Sequence, residues 1–185
     1  MIDDLISDAS RRMDKSVEST QTEFNTVRTG RASAALLDRI TVDYYGQPTP
    51  LQQLATINVP EPRLLTVQPF DPNSVKDIER AIQESELGLT PSNDGKVIRL
   101  PIPQLTEERR KDLVKIVRQI AEDGRIAIRN VRRDADKHLK DLKMKGEVGE
   151  DDERRAEERV QKLTDEHTGK IDDLLKRKET EITEV

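Results

Sequence analysis

The chemistry this chain can do is written mainly in arginine. Residues 106–145 hold 13 Lys and Arg against 8 Asp and Glu, while residues 147–185 hold 8 against 14, in a protein of formal net charge −5. Stepping about 100° per residue from Arg129, as a helix requires, brings Lys111, Lys115, Arg118, Arg125, Arg129, Arg132, Arg133 and Lys140 into one stripe about 100° wide. Glu122 and Asp136 interrupt it. The apolar seam of the same helix is expected on the opposite face, between about −100° and 180°. From Arg125 to Arg133 every cation is arginine, whose planar fork matches phosphate oxygens. The bland alternative is a solvated helix face with local Glu/Lys pairing. No aromatic residue interleaves to stack on bases, because Phe24, Tyr44, Tyr45 and Phe70 are the whole set and lie elsewhere. The stripe therefore predicts recognition of structured RNA by backbone and shape.

Other chemistries have little to work with. The chain has no cysteine, which removes thiol nucleophiles, thiolate metal sites and disulfides and fits a reducing, cytoplasmic setting. Its two histidines, His138 and His167, fall on helical seams and are expected to pack or hydrogen-bond there rather than bind metal. Phosphate-binding loops, dinucleotide fingerprints and nucleophile elbows are missing, so neither an enzyme nor a cofactor is expected. The longest apolar run, Ala34–Leu37, is far too short for a membrane helix, and the acidic start, Met1-Ile2-Asp3-Asp4, lacks the features of a signal peptide.

The elements that must position the arginines follow from proline and periodicity. All nine prolines lie between Pro48 and Pro103, so the flanks are free to be helical. Only 33% of residues are hydrophobic and 37% are charged, which suits long elements that bury one stripe each. One seam runs through Ile2, Ile6, Ala9, Met13, Val17, Thr20, Phe24 and Val27, and Gly30 is expected to end that helix. A second runs through Leu113, Val117, Ile120, Gly124, Ile128, Val131, Ala135, His138 and Leu142, after Thr106 as N-cap. Gly146 and Gly149 bracket a break, and Ala156, Val160, Leu163, His167, Ile171, Leu174 and Ile182 make a third. The expected fold class is α+β: an elongated antiparallel three-helix bundle, 1–30 and 105–185, with an inserted β/α/β domain, 31–104. Within the insert, strands are expected at Ile40–Tyr45, Leu54–Val59, Leu64–Phe70 and Val97–Leu100. A helix is expected from Pro72 to near Gly88, with turns at Gly46-Gln47-Pro48 and Asn93-Asp94-Gly95. Two chain crossings, 29–32 and 102–106, join the domains and are expected to act as a hinge.

These motifs together resemble a known family. Val27-Arg28-Thr29-Gly30-Arg31-Ala32-Ser33, Leu36-Leu37-Asp38, Tyr44-Tyr45-Gly46, Asp94-Gly95-x-x-Ile98-Arg99, Leu105-Thr106-Glu107-Glu108-Arg109-Arg110 and Arg129-Asn130-Val131-Arg132-Arg133-Asp134 are similar to those of bacterial ribosome recycling factors. The resemblance implies an L-shaped, tRNA-like molecule. It implies binding to the large ribosomal subunit after termination, and splitting of the ribosome with elongation factor G and GTP, which frees the messenger RNA and tRNA. By the same resemblance Arg129, Arg132 and Arg133 grip ribosomal RNA, with Arg110 and Arg28 nearer the hinge, and Gly30, Arg31, Gln104 and Leu105 form that hinge. The resemblance further implies that the GTP is used by the partner GTPase, and the protein itself is expected to be a cytoplasmic monomer that hydrolyses nothing. One departure is Gly149-Glu150-Asp151, where a serine cap is expected in relatives; glycine is a tolerable N-cap. A helical scaffold or chaperone would explain the heptads but not the segregated basic charge. A hydrolase would need a nucleophile–base pair, which is missing.

Overall fold

A computed structural model describes residues 1–183 of the chain. The described residues form two compact units, one of residues 1–28 with 107 onward and one of Thr29–Thr106. The unit boundary thus assigns Thr29, Gly30, Leu105 and Thr106 to the insert. No helix is long and apolar enough to cross a membrane among the described residues.

The first unit is a bundle of α1 (Ile2–Thr26), α3 (Glu107–Met144) and α4 (Glu150–Thr183). At 38 residues, α3 is about 57 Å long. Cross-helix contacts fix the directions: Arg12 with Asp134 and Thr20 with Gly124 set α1 antiparallel to α3, and Arg118 with Glu179 and Arg125 with Asp172 set α3 antiparallel to α4. Asp3 with Arg159 and Asp14 with His167 leave α1 parallel to α4. Small residues let the three axes meet. A Cβ on Gly124 of α3 would strike Thr20 Oγ1 of α1 and stand 2.8 Å from Ile171 Cδ1 of α4. The turn after α3 satisfies three of its orphan carbonyls: Lys145 N–H donates to Asp141 O, Gly146 N–H to Lys143 O and Glu147 N–H to Leu142 O, with Gly146 at φ +73°. Glu150, Asp151, Asp152 and Glu153 then open α4, where the helix dipole favours negative charge.

Two seam assignments need correction. His138 and Ile120 do not belong to the buried stripe of α3: His138 is exposed and Ile120 half-buried, while Ala121 and Leu139 are fully buried in their place. The exchange centres the seam near −120° on the wheel used above, closer to the arginines than an opposite face would be. His167 is buried as expected, with Nδ1 2.7 Å from Leu163 O and Nε2 2.7 Å from Asp14 Oδ1. The end of α1 also differs. The helix stops at Thr26, four residues before Gly30, and Val27 is already extended.

The second unit has its own core. β3 (Ala55–Glu61), β4 (Leu64–Pro69), β6 (Ile98–Pro101) and β5 (Ser92–Asn93) form an antiparallel sheet in the order β3-β4-β6-β5. Alternation points Leu65 and Val67 of β4 and Ile98 and Leu100 of β6 inward. There they meet Val75, Ile78 and Ile82 of α2 (Val75–Gln83). A separate hairpin pairs β1 (Thr41–Tyr44) with β2 (Gln47–Pro50). The segment expected only to turn is thus half strand. Its turn is Tyr45-Gly46, with φ +50° and +83°, the two positive values that a tight primed turn demands. In that register Tyr44↔Gln47 closes the turn, so Pro48 and Pro50 take positions that owe the ladder no N–H. Asp71 Oδ2 accepts the hydroxyls of both Tyr44 and Tyr45; desolvation first, and then Asp71, raise the Tyr44 pKa.

Candidate nucleic-acid interface

All eight stripe residues lie on α3, as one unbroken helix requires. They are not equivalent. Arg118 Nε donates to Glu179 of α4 at 2.7 Å. Arg125 Nη2 reaches Asp172 at 2.6 Å and its Nη1 reaches Glu122 at 3.2 Å, and its side chain is only 20% exposed. Burial disfavours the Arg125 charge, yet Asp172 and Glu122 outweigh that and its pKa rises. Arg125 is therefore largely committed to holding α3 against α4. Glu122 also takes Arg129 Nη1 at 3.2 Å, within α3.

Further along the helix the cations are open. Arg132 has one hydrogen bond among the described residues, to Gln161 Oε1 at 3.5 Å, at the limit of such a bond. Arg133 is exposed and has no hydrogen-bond or ion-pair partner among the described residues. Lys140 and Lys115 are exposed too. Asp136, one turn beyond Arg132, has its Oδ1 buried, and desolvation raises its pKa against the pull of Arg132 and Lys140. The arginine stripe thus runs along the α3–α4 border at Arg118, Arg125 and Arg132 and turns away from it at Arg133, which is exposed about 160° round the wheel from the seam. It is closed by carboxylates at Arg118 and Arg125 and open at Arg132 and Arg133. Arg110 is half-buried in the first turn of α3, and Arg28 is exposed just after α1.

The expected hinge residues come together inside the second unit. Gly30 has φ +78°, and a Cβ there would lie 2.9 Å from Leu105 Cγ. Arg31 and Gln104 are exposed beside them in sequence. Neither crossing is helix or strand. Both are tied to one turn, Ala32 N–H donating to Pro62 O and Ile102 N–H to Arg63 O, each at 2.7 Å. No cluster of His, Cys, Asp or Glu could hold a metal ion among the described residues.

The ribosome recycling factor family profile matches residues 20–183. The chain belongs to the ribosome recycling factor family. It is 57% identical over 185 residues to the ribosome-recycling factor of Halalkalibacterium halodurans, covering 100% of both chains. To that of Rubrobacter xylanophilus it is 56% identical over 180 residues, 97% of each chain. Among solved structures it is similar to a ribosome recycling factor in solution, with TM-score 0.71 and 44% identity over 100% of this chain and 98% of the other. It is also similar to the T. thermophilus ribosome recycling factor that, with E. coli elongation factor G, is bound to the E. coli post-termination complex. That likeness has TM-score 0.63 and 49% identity over 98% of each chain. Family membership makes the chain a translation factor of ribosome recycling, not an enzyme. Sequence reasoning had missed the carboxylates of α4 that hold Arg118 and Arg125. Their signal was the seven-residue spacing of Asp172 and Glu179 in the acidic third segment.

Proposed function

We propose that this chain binds post-termination ribosomes on the large subunit and, with elongation factor G and GTP, splits them into subunits and frees messenger RNA and tRNA. The observation that carries this is likeness along the whole chain to ribosome recycling factors, one of them set on a post-termination complex with elongation factor G. The surface of α3 supplies the RNA contact. Arg132 and Arg133 would take phosphates directly and Arg129 on release from Glu122, with Arg110, Arg118, Arg125 and Arg28 adding to the field around them. Gly30, Arg31, Gln104 and Leu105 would form the hinge, because irregular crossings can absorb a change of backbone angles that a helix or a sheet cannot. The partner GTPase uses the nucleotide, so the chain needs no cofactor of its own, and it acts as a monomer in the cytoplasm.

Light scattering of post-termination ribosomes tests the reading. A drop that needs the protein, elongation factor G and GTP together is expected. Arg132→Ala should weaken large-subunit affinity by about tenfold, the worth of one charged hydrogen bond to phosphate, while the helical signal stays intact. Unchanged scattering with a matched GTPase would refute the function, and an unchanged affinity would refute the site.

A further inference from the structure

The ion pairs between α3 and α4 form a ladder with one rung left open. Arg118 pairs with Glu179 and Arg125 with Asp172. Seven residues on along α3 go with seven residues back along antiparallel α4, so the next rung sets Arg132 against Asp165. No such ion pair forms among the described residues. Instead Gln161, one turn from Asp165 on α4, donates from Nε2 to Asp165 Oδ1 at 2.9 Å and offers Oε1 to Arg132 at 3.5 Å. A carboxylate at the place where the ladder would close is held by an amide of its own helix, and the arginine facing it receives a weak neutral contact.

We propose that Gln161 is a positioning residue for RNA binding: by holding Asp165 it keeps the third rung open and leaves the Arg132 fork to a phosphate of the large subunit. This rests on the RNA reading of α3 above. The chemistry favours the division of labour. A guanidinium paired with carboxylate must break that pair before it takes phosphate, whereas a neutral amide oxygen at 3.5 Å gives way at little cost. Arg118 and Arg125 then lock the two helices, and Arg132 stays available on a helix they have fixed.

The test uses the full chain, isolated large ribosomal subunits as the probe, and four variants. Gln161→Ala releases Asp165 to capture Arg132, and affinity for large subunits should fall about two- to fivefold, as an exposed ion pair of up to about 1 kcal/mol allows. Thermal stability should hold or rise. Adding Asp165→Asn to Gln161→Ala removes the competitor and should restore binding, while Asp165→Asn alone should bind as the unaltered protein does. Arg132→Ala marks the reading on which the proposal rests. If that variant binds normally, the RNA site itself is wrong. If it binds weakly while Gln161→Ala binds normally, or if the loss in Gln161→Ala persists with Asp165→Asn, the positioning role is overturned and the RNA site stands.

Discussion

In the inserted unit 13 buried apolar residues, from Leu37 to Leu100, gather into one cluster around Leu65, Val67, Ile78 and Ile98. The bundle distributes its buried side chains along three seams instead, and in its middle layer Gly124, which has no side chain, sits where a Cβ would strike Thr20 and Ile171. The first arrangement is a volume to be filled. The second is a spacing to be kept. They should fail in opposite ways, the insert when atoms are removed and the bundle when atoms are added.

Leu65→Ala should show the larger effect. Leu65 is fully buried on β4 between strands β3 and β6, and its truncation should cost about 2–5 kcal/mol in urea denaturation. A cost below about 1 kcal/mol would mean that the insert collapses around the gap and that filling is not what holds it. Gly124→Ala tests the other half. Overpacking against Thr20 and Ile171 costs about 1–3 kcal/mol, and the better helix propensity of alanine returns about 1 kcal/mol. A net loss of about 1 kcal/mol is expected. Combining it with Thr20→Ala removes the nearest atom, and the double variant should recover most of that loss. If Gly124→Ala is stabilising by itself, the helices have room to part and the comparison fails for the bundle.

The same contrast explains how much was legible in the sequence. Seams of fixed period announce a bundle, because each helix buries one face and the pattern needs no knowledge of its partners. Gly124 was visible as a small residue on a seam. Ile120 and His138 misled because both sit one position from the true stripe, and only packing against α1 and α4 chooses Ala121 and Leu139 instead. The stripe of arginines was visible, but its division into closed and open rungs was not. That division depends on the register of α3 against α4, which periodicity alone leaves undetermined. In the insert, the inward alternation of β4 and β6 could be read directly. The β2 strand was hidden by Pro48 and Pro50, which are compatible with a ladder only at alternate positions that the Tyr45-Gly46 turn selects.

Polar loops sharpen the comparison at its smallest scale. The bundle closes α3 with backbone groups alone, through Gly146 and Glu147, whereas the insert uses a carboxylate to shape its β5–β6 turn. Asp94 Oδ1 accepts from Val97 N–H at 2.8 Å and Lys96 N–H at 2.9 Å, and Oδ2 accepts from Arg99 at 3.3 Å. The two backbone donors, with help from Arg99, favour the ionised form and hold its pKa down at about 2. An Asp in the unfolded chain titrates near 3.9. With the folded value the lower of the two, the stabilisation is fully present above about pH 4 and is lost as pH falls through about 2. Carboxyl carbon shifts of Asp94 followed by NMR should therefore titrate with a midpoint near 2, at lower pH than Asp136 of α3, whose pKa desolvation raises. In Asp94→Asn the Lys96 and Val97 amides should lose their acid dependence, because an amide oxygen can accept the same bonds at every pH. A midpoint at the ordinary aspartate value would show that the turn is held by its backbone, as the end of α3 is, and the distinction between the two units would end at their cores.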